Sequence, residues 1–311
     1  MATARKPVVV TGMPRSGTSW VGKMLQLSGE VVYVNEPMNP SRPPGRSPGV
    51  LNADVEHYFH YIPGSDQARW RAAFARTLSL RYSLLPELRR NRSAGDLMRA
   101  AKYCTEFGRG RLTGRTALLD DPYASVSAGW LASEFDATVV VLVRDPVTLV
   151  ASWQKLGWVV DPAELLNQPA LMADHLEPER ERLSRAARSG DPVEQIIAVW
   201  RAVYLAVLGQ ADAGRVLLRR YEDLAAQPVP AFENLYRDCG LTYDQATRAA
   251  VQQATGADTG NSGAFQWSGL SRTAFRPMDS AAKLREPVGL PDSVVDQVRS
   301  GTEDVLGRLS R

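Results

Sequence analysis

Short runs of β-branched and other apolar residues alternate along this chain with longer stretches that have a helical period. Buried parallel strands carry apolar side chains on both faces, so four of these runs are predicted to be strands. They are residues 8–10, 31–34, 138–143 and 216–218. Apolar residues that recur every three or four positions predict helices in residues 20–27, 192–208 and 294–309.

Strands that alternate with helices predict an α/β fold, in which helices flank a parallel sheet. Residues 50–115 are expected to be mostly helical, within an insertion at residues 40–130 that separates the second and third predicted strands. Residues 255–277 are rich in glycine, serine and threonine and are predicted to be a loop. We find no internal repeat, so the sequence predicts one domain over residues 1–311.

The composition of the 311-residue chain is ordinary for a globular protein, with 44% hydrophobic and 23% charged residues. Its net charge of +3 is small and argues against a general polyanion binder, so no nucleic-acid partner is expected. No apolar run approaches the roughly 20 residues that span a bilayer, and no signal peptide is recognisable. With Cys104 and Cys239 as the only cysteines, a reduced cytoplasmic protein without a membrane span is the simplest prediction.

Ligands of open parallel sheets bind beyond the carboxyl ends of the strands. Four segments of this sequence directly follow predicted strands and carry polar or charged side chains. They are residues 11–19, 35–36, 144–145 and 220–223. These segments are therefore the candidates for a functional site.

The first of these segments contains an anion cradle, which we define as residues 12–19 (GMPRSGTS). Its skeleton is that of a nucleotide P-loop, G-x-x-x-x-G-K-[ST], and the N–H groups and dipole of the following helix favour an anion there. The P-loop lysine that reaches the β- and γ-phosphates of a nucleoside triphosphate is replaced by Thr18. A cation is present at Arg15 instead, so the sequence favours an anion other than a triphosphate.

The string PRSGTSW at residues 14–20 resembles the 5′-phosphosulfate loop of sulfotransferases that use 3′-phosphoadenosine 5′-phosphosulfate (PAPS). With arginine at position 15, the loop resembles that of carbohydrate-modifying and many bacterial members, which have arginine there, whereas cytosolic members typically have lysine. The resemblance implies that the cradle holds the 5′-phosphate and sulfonate of the donor. The donor-binding residues are then Pro14, Arg15, Ser16, Gly17, Thr18 and Ser19. It also implies that Trp20 stacks on adenine, with a plain core tryptophan as the alternative.

A second anion site is required because PAPS also carries a 3′-phosphate. The segment TVVVLVRDPVTLVASW resembles the family pattern in which an arginine ends a strand and a serine follows eight positions later. Arg144 and Ser152 occupy these positions, and a guanidinium is a forked donor suited to phosphate oxygens. The alternative for Arg144 is a pair with Asp145 or a helix cap.

Two further nucleotide contacts follow from the same resemblance. The segment LLRRYEDL resembles the family pattern in which the position of Tyr221 lies near the nucleotide. The family's C-terminal loop supplies basic contacts to the 3′-phosphate, so residues 255–290 are expected to cover the nucleotide. Among the basic residues there, Arg272 is the favoured contact.

A hydroxyl acceptor needs a base that removes its proton during transfer. Carbohydrate-type and several bacterial relatives carry a glutamate after the second strand, and the segment VVYVNEP places Glu36 there. The resemblance implies that Glu36 is the general base and that Arg15 offsets charge on the leaving oxygen. The alternative for Glu36 is a pair with an arginine that organises the loop.

The chain departs from its relatives at Asp120-Asp121-Pro122, where bacterial members commonly have Lys-Asp-Pro. If that lysine contacts the sulfonate, its task must move to Arg15 or another residue. Asp120 is then available to orient a hydroxyl or an amine of the acceptor.

The predicted function is transfer of a sulfuryl group from PAPS to a hydroxyl of a sugar, a glycosylated metabolite or another small molecule. The nucleotide product is adenosine 3′,5′-bisphosphate (PAP), and no metal is expected because protein cations hold the leaving group. Two alternatives stay open, a P-loop kinase and a non-catalytic module that binds an anion or a polysaccharide. The second rests on nine basic against three acidic residues between Arg81 and Arg115, a pattern also typical of a solvated helix face. The sequence predicts no oligomeric state.

Overall fold

Five parallel strands form the central sheet of the protein. They are β1 Val8–Gly12, β2 Val31–Asn35, β3 Thr116–Asp120, β4 Thr138–Val143 and β5 Val216–Arg220, and their order in the sheet is β2-β3-β1-β4-β5. The computed structural model describes residues 5–41, 53, 55–90, 93–211, 216–256, 266–268, 271–274 and 279–310. For residues 90, 266–268 and 271–274 it describes the backbone only.

Helices connect and cover the strands. They are α1 Thr18–Gln26, α2 Gln67–Leu78, α3 Leu84–Arg90, α4 Ala94–Leu112, α5 Ala128–Phe135, α6 Pro146–Leu156, α7 Ala163–Leu166, α8 Pro169–Leu171, α9 Arg180–Ser189, α10 Pro192–Ala211, α11 Tyr221–Ala226, α12 Pro228–Asp238, α13 Gln245–Thr255, α14 Ser280–Leu284 and α15 Asp292–Leu309. The predicted α/β fold with a mostly helical insertion between the second and third predicted strands is confirmed.

The sequence pattern does not predict β3, which lies between β2 and β1 in the sheet. Its sequence, TALLD, contains alanine and two leucines, which are good helix formers, and it follows a long helical stretch. Parallel pairing on both sides makes it a strand, with Asn35 of β2 and Val10 of β1 both aligned with Asp120. Tertiary pairing therefore overrides local propensity at this element.

Alternate residues of the strands point to opposite faces of the sheet and pack into two separate hydrophobic cores. On one face of the sheet, α1 and α12 contribute Trp20 and Phe232 to a core that includes Tyr33. On the other face, α10 lies at the centre of a larger core. Of the described helices, only α10 is long and apolar enough to cross a membrane, and 67% of its apolar window is buried inside the protein, which is typical of a core helix.

The predicted loop at residues 255–277 contains regular structure. Strands β6 Gln266–Ser268 and β7 Ser271–Ala274 pair antiparallel as a hairpin, so the prediction of a loop is wrong for these residues. A two-residue connection that begins with glycine is a hairpin signal, and the sequence Gly269-Leu270 supplies one. Residues 257–265, 269–270 and 275–278 lie outside the described part of the chain.

Candidate functional site

The anion cradle joins the end of β1 to the start of α1, and two glycines allow its tight path. Gly12 has φ of 150° and Gly17 has φ of 98°, backbone conformations that side chains disfavour. A Cβ atom on Gly17 would lie 2.5 Å from the ring of Tyr221. Glycine is therefore required at position 17 both for the backbone and for the close approach of that ring.

The start of α1 directs backbone N–H groups out of the cradle. The first helical hydrogen bond runs from the N–H of Val21 to the oxygen of Gly17, so the N–H groups of residues 18–20 precede it. Ser16 differs, since its N–H already donates to the oxygen of Met13 at 2.9 Å. The hydroxyl of Ser16 is buried and has no hydrogen-bond partner among the described residues. Ser16 can therefore serve an anion through its hydroxyl rather than through its N–H.

Arg15 lies at the exposed tip of the cradle in a strained conformation. Its φ is 74°, a left-handed value that is uncommon for a side-chain-bearing residue and often marks a functional site. Its Nε donates to the Oγ of Ser152 at 3.3 Å, which connects the cradle to α6. Partial desolvation, followed by repulsion from Arg144, lowers the pKa of Arg15. Two cations are thus held side by side, as an anion site requires.

Arg144 reaches the cradle from the end of β4. Its Nη1 donates to the backbone oxygen of Arg15 at 2.7 Å, and its Nε donates to the Oγ1 of Thr148 at 3.1 Å. Its guanidinium lies 5.1 Å from the centre of the Tyr221 ring. The structure therefore brings together Arg15, Arg144, Ser152 and Tyr221, which are far apart in the sequence.

Neighbouring residues fix this arrangement, and Trp153, unlike Asp145 and Glu222, was not among the candidates from the sequence. The carboxylate of Asp145 caps α6 by accepting a hydrogen bond from the backbone N–H of Thr148 at 2.9 Å. The backbone N–H of Asp145 donates to the carboxylate of Glu222 at 2.9 Å. The indole N–H of Trp153 donates to the backbone oxygen of Pro14 at 2.8 Å. The cap belongs to Asp145, so the alternative of Arg144 as the helix cap does not hold.

The two aromatic candidates lie beneath the cradle. Trp20 is 2% exposed and packs edge-on against Tyr221 and Phe232, with ring centres 5.6 and 5.1 Å away. Tyr221 is also buried, and burial raises the pKa of its hydroxyl. These contacts are those of a core tryptophan, and a stack of Trp20 on adenine stays a prediction that requires its ring face to become exposed.

Glu36 follows β2 at the same edge of the sheet. It is half-buried and has a φ of 44°, so both candidate catalytic residues have left-handed backbones. Its N–H donates to the oxygen of Asp120 at 2.7 Å, and its Oε2 accepts the side-chain N–H of Asn39 at 2.7 Å. Two strand spacings separate β2 from β1, so Glu36 lies roughly 10 Å from the cradle along the sheet.

Two fully buried carboxyl groups lie at the end of β3, between Glu36 and the cradle. Asp121 accepts the N–H groups of Met38 and Tyr123, which makes it a loop-organising residue. Asp120 accepts the hydroxyl of Tyr33, and burial raises its pKa to about 6. Neither carboxyl group forms a salt bridge with the residues that the structure describes.

The remaining predicted contacts are Arg272 and the basic stretch between Arg81 and Arg115. The backbone of Arg272 lies in β7, and its side chain lies outside the described part of the chain. In the basic stretch, Arg81, Arg89, Arg109 and Arg111 are exposed, which fits a solvated surface.

Among the described residues, no group of three or more histidine, cysteine, aspartate or glutamate side chains is arranged to hold a metal ion.

The donor set of the cradle fits an anionic group with phosphate chemistry. It combines N–H groups at a helix start, the buried hydroxyl of Ser16 and the guanidinium groups of Arg15 and Arg144. Arg144 and Ser152 both contact Arg15 and lie beside the cradle, where their donor groups are available to a second anionic group of the same ligand. The geometry thus suits one ligand with two separated anionic groups.

Comparison with protein families gives one match. A family described as "Sulfotransferase family" matches residues 7–245, which include every element of the sheet, the cradle and α6. No curated protein is a match for this chain in sequence.

Several solved structures are similar to this chain at low identity. A sulfotransferase domain from the curacin biosynthetic pathway is 13% identical, covers 100% of this chain and 99% of its own, and has a TM-score of 0.48. A sulfotransferase from Mycobacterium avium is 15% identical over 99% of this chain and 77% of its own, with a TM-score of 0.45. A mouse sulfotransferase complexed with PAP is 10% identical over 100% and 86%, with a TM-score of 0.42. Because these TM-scores are below 0.5, the assignment of the chain to a family rests on the family match over residues 7–245.

Proposed function

This chain belongs to the sulfotransferase family, and we propose that it transfers a sulfuryl group from PAPS to a hydroxyl group, with Glu36 as the general base. The observation that carries the proposal is the direct contact between the two predicted anion sites. Arg144 donates to the backbone of Arg15, and Arg15 donates to Ser152. A donor with phosphates at both ends of one ribose needs two such sites side by side.

Charge compensation explains how the cradle promotes transfer. As the acceptor oxygen forms its bond to sulfur, the bond from sulfur to the 5′-phosphate oxygen breaks and its electron pair stays on that oxygen. Arg15 and the N–H groups at the start of α1 stabilise the charge that develops there. The nucleotide leaves as PAP, so the same groups that bind the donor also stabilise the leaving group.

Glu36 is proposed to take the proton of the acceptor hydroxyl. Glu36 follows β2 and Arg144 follows β4, so the two side chains lie on opposite sides of the cradle along the carboxyl ends of the strands. The buried carboxyl groups of Asp120 and Asp121 lie next to Glu36. A carboxylate cannot compensate the leaving group, but it can accept a proton from the attacking oxygen. The strained backbone of Glu36 and its contact with Asn39 hold the carboxylate in one orientation.

The acceptor is proposed to be a sugar or a glycosylated small molecule that approaches over residues 40–130. This proposal rests on the resemblance of the cradle and of Glu36 to carbohydrate-modifying and bacterial members. A cytoplasmic location and a single domain over residues 1–311 stay predictions.

The test is a transfer assay with PAPS labelled in its sulfonate group and a panel of methyl glycosides as acceptors. Wild type is expected to produce labelled sulfate esters and PAP. Glu36→Gln should lose turnover and keep PAP affinity, whereas Arg144→Ala should lose PAP affinity. Full activity of Glu36→Gln would remove Glu36 as the base. Tight binding of MgATP with no binding of PAP would favour the kinase alternative and contradict the proposal.

A further inference from the structure

Asp120 is a carboxyl group enclosed beside the cradle, and its hydrogen bonding is incomplete. Its side chain has no exposed surface, and its Oδ2 accepts the hydroxyl of Tyr33. Its Oδ1 is buried and has no hydrogen-bond partner among the described residues. The hydroxyl groups of Ser19 and Thr18, in the first turn of α1, lie beside the same carboxyl group and, as donors, favour its anion, although burial has the larger and opposite effect on its pKa. Asp120 therefore lies next to the turn whose N–H groups face the anion site.

These surroundings suit the acid form of Asp120 better than its anion. A carboxylate has only acceptors, so burial leaves Oδ1 without a donor and removes the hydration that stabilises the charge. A protonated Oδ1 gains an O–H donor that the oxygen of Ser19 or Thr18 can accept. Protonation therefore completes the hydrogen bonding of this cluster.

Four other titratable groups act on Asp120. The hydroxyl of Tyr33 favours the anion by its hydrogen bond, and Lys23 on α1 favours it by attraction. Glu36 and Asp121 disfavour the anion by repulsion. Burial outweighs the others and raises the pKa of Asp120 to about 6, while it lowers the pKa of Lys23 to about 8. The carboxyl group thus titrates close to neutral pH.

We propose that Asp120 takes up a proton when the donor enters the cradle, so that protonation of this carboxyl group sets the affinity for the donor. The inference rests on the proposed function, because it needs a phosphate or phosphosulfate at the start of α1. A further negative charge beside a buried carboxylate disfavours its ionised form. By linkage, protonation of Asp120 then favours the anion to the same degree. Donor affinity falls as the pH rises through the titration of Asp120.

The test is a calorimetric titration of PAP into wild type and Asp120→Asn from about pH 5 to about pH 8.5. Asparagine is isosteric and neutral at every pH, so it represents the acid form. We expect Asp120→Asn to bind PAP about tenfold more tightly than wild type at pH 8 and equally at pH 5. The phosphates of PAP also titrate near pH 6. The quantity to compare is therefore the ratio of the two dissociation constants at each pH.

Proton uptake is measured in the same experiment. Titrations at pH 7 in Hepes and in Tris, whose ionisation enthalpies differ, count the protons that accompany binding. Wild type is expected to take up more protons per bound PAP than Asp120→Asn. Equal proton counts for the two proteins would contradict the inference.

A second variant keeps the carboxyl group and changes only its surroundings. Tyr33→Phe removes the hydrogen bond that favours the anion, so PAP should bind about threefold more tightly than to wild type at pH 8. A purely structural role of Tyr33 predicts weaker binding instead. Asp136→Asn is the matched control, since Asp136 precedes β4 at the opposite edge of the sheet and pairs with Lys6. It should bind PAP as wild type does at every pH.

Three further results would overturn the inference. One is equal or weaker PAP binding by Asp120→Asn at pH 8. Another is a requirement for Mg²⁺, tested with MgCl₂ and with EDTA, because an aspartate and a P-loop hydroxyl can hold that cation beside phosphates. The third is the absence of PAP binding to every variant at every pH. That last result contradicts the proposed function itself, whereas the first leaves it intact.

Discussion

The carboxyl edge of the sheet has two halves of opposite character. The cationic half, at the ends of β1 and β4, presents Arg15 and Arg144 in partly solvated positions, joined by a hydrogen bond from Arg144 to the backbone oxygen of Arg15. The acidic half, at the ends of β2 and β3, presents Glu36, Asp120 and Asp121, and the two aspartates are fully buried. The two halves meet at the start of α1, where Ser19 and Thr18 approach Asp120.

The difference assigns separate tasks to the two halves. Arginine side chains keep their charge at every accessible pH, so the cationic half suits a permanent anion such as a phosphate. Burial raises the pKa of Asp120 to about 6 and raises that of Asp121 above its ordinary value, so the acidic half suits proton-linked binding. A substitution in the cationic half should therefore change a different property of the protein from a substitution in the acidic half.

The largest expected effect comes from the acidic half. Glu36→Gln keeps the contact with Asn39 but cannot accept a proton, so kcat should fall about 10³-fold while the Kd for PAP is unchanged. Transfer kinetics with PAPS, together with PAP titrations, measure the two quantities separately. Glu36→Asp is the matched variant, and partial recovery of kcat is expected because a carboxylate returns at a shorter reach. A parallel loss of PAP affinity in Glu36→Gln would assign Glu36 to the donor site instead.

The cationic half should show the opposite signature. Arg144→Ala removes the guanidinium proposed for the 3′-phosphate and its bond to the backbone of Arg15, so PAP affinity should fall about 100-fold. Arg144→Lys should recover part of this loss, since an ammonium is a point charge without the forked geometry. Calorimetry with PAP measures the change, and Arg71→Ala, which removes an exposed arginine paired with Glu134, is the control. An unchanged Kd would separate Arg144 from the anion site.

Stability of the protein should depend on pH through Asp120. Its pKa is about 6 in the folded protein against 3.8 for an unperturbed aspartate, so the native state binds more protons between these values. The free energy of unfolding therefore falls as the pH rises from about 4 to about 6, and the loss is complete above that range. Asp120→Asn should be more stable than wild type by about 3 kcal/mol at pH 8 and about equally stable near pH 4. Urea unfolding at both pH values measures this, and a less stable variant at pH 8 would contradict it.

The smallest expected effect concerns the contact between the cradle and α6. Ser152→Ala removes the hydroxyl that accepts from Arg15, so PAP affinity should fall about threefold to tenfold. Titration of PAP measures it, and Ser310→Ala, which alters a hydroxyl at the end of α15, is the control. A loss as large as that of Arg144→Ala would mean that Ser152, rather than Arg144, is the main 3′-phosphate contact.

The cationic half could be predicted from the sequence because its residues follow strands that are strongly β-branched. VVV before the cradle and TVVVLV before Arg144 mark the strands, and the spacing to Ser152 was visible without a structure. The acidic half was predicted only at Glu36. Asp120 was noticed as a departure from relatives, but its strand, TALLD, has no β-branched run, so its burial and its contact with Tyr33 could not be foreseen. The bond from Trp153 to Pro14 is likewise a property of packing between distant segments.

The proposed function requires that the cradle and Arg144 together hold a nucleotide with separate 3′- and 5′-anions. The most direct measurement is competition between PAP and MgADP for wild type, repeated with Arg144→Ala. We expect PAP to bind at least about tenfold more tightly than MgADP, and we expect this preference to disappear in Arg144→Ala. Tighter binding of MgADP than of PAP to wild type, or a preference for PAP that survives the loss of Arg144, would contradict it.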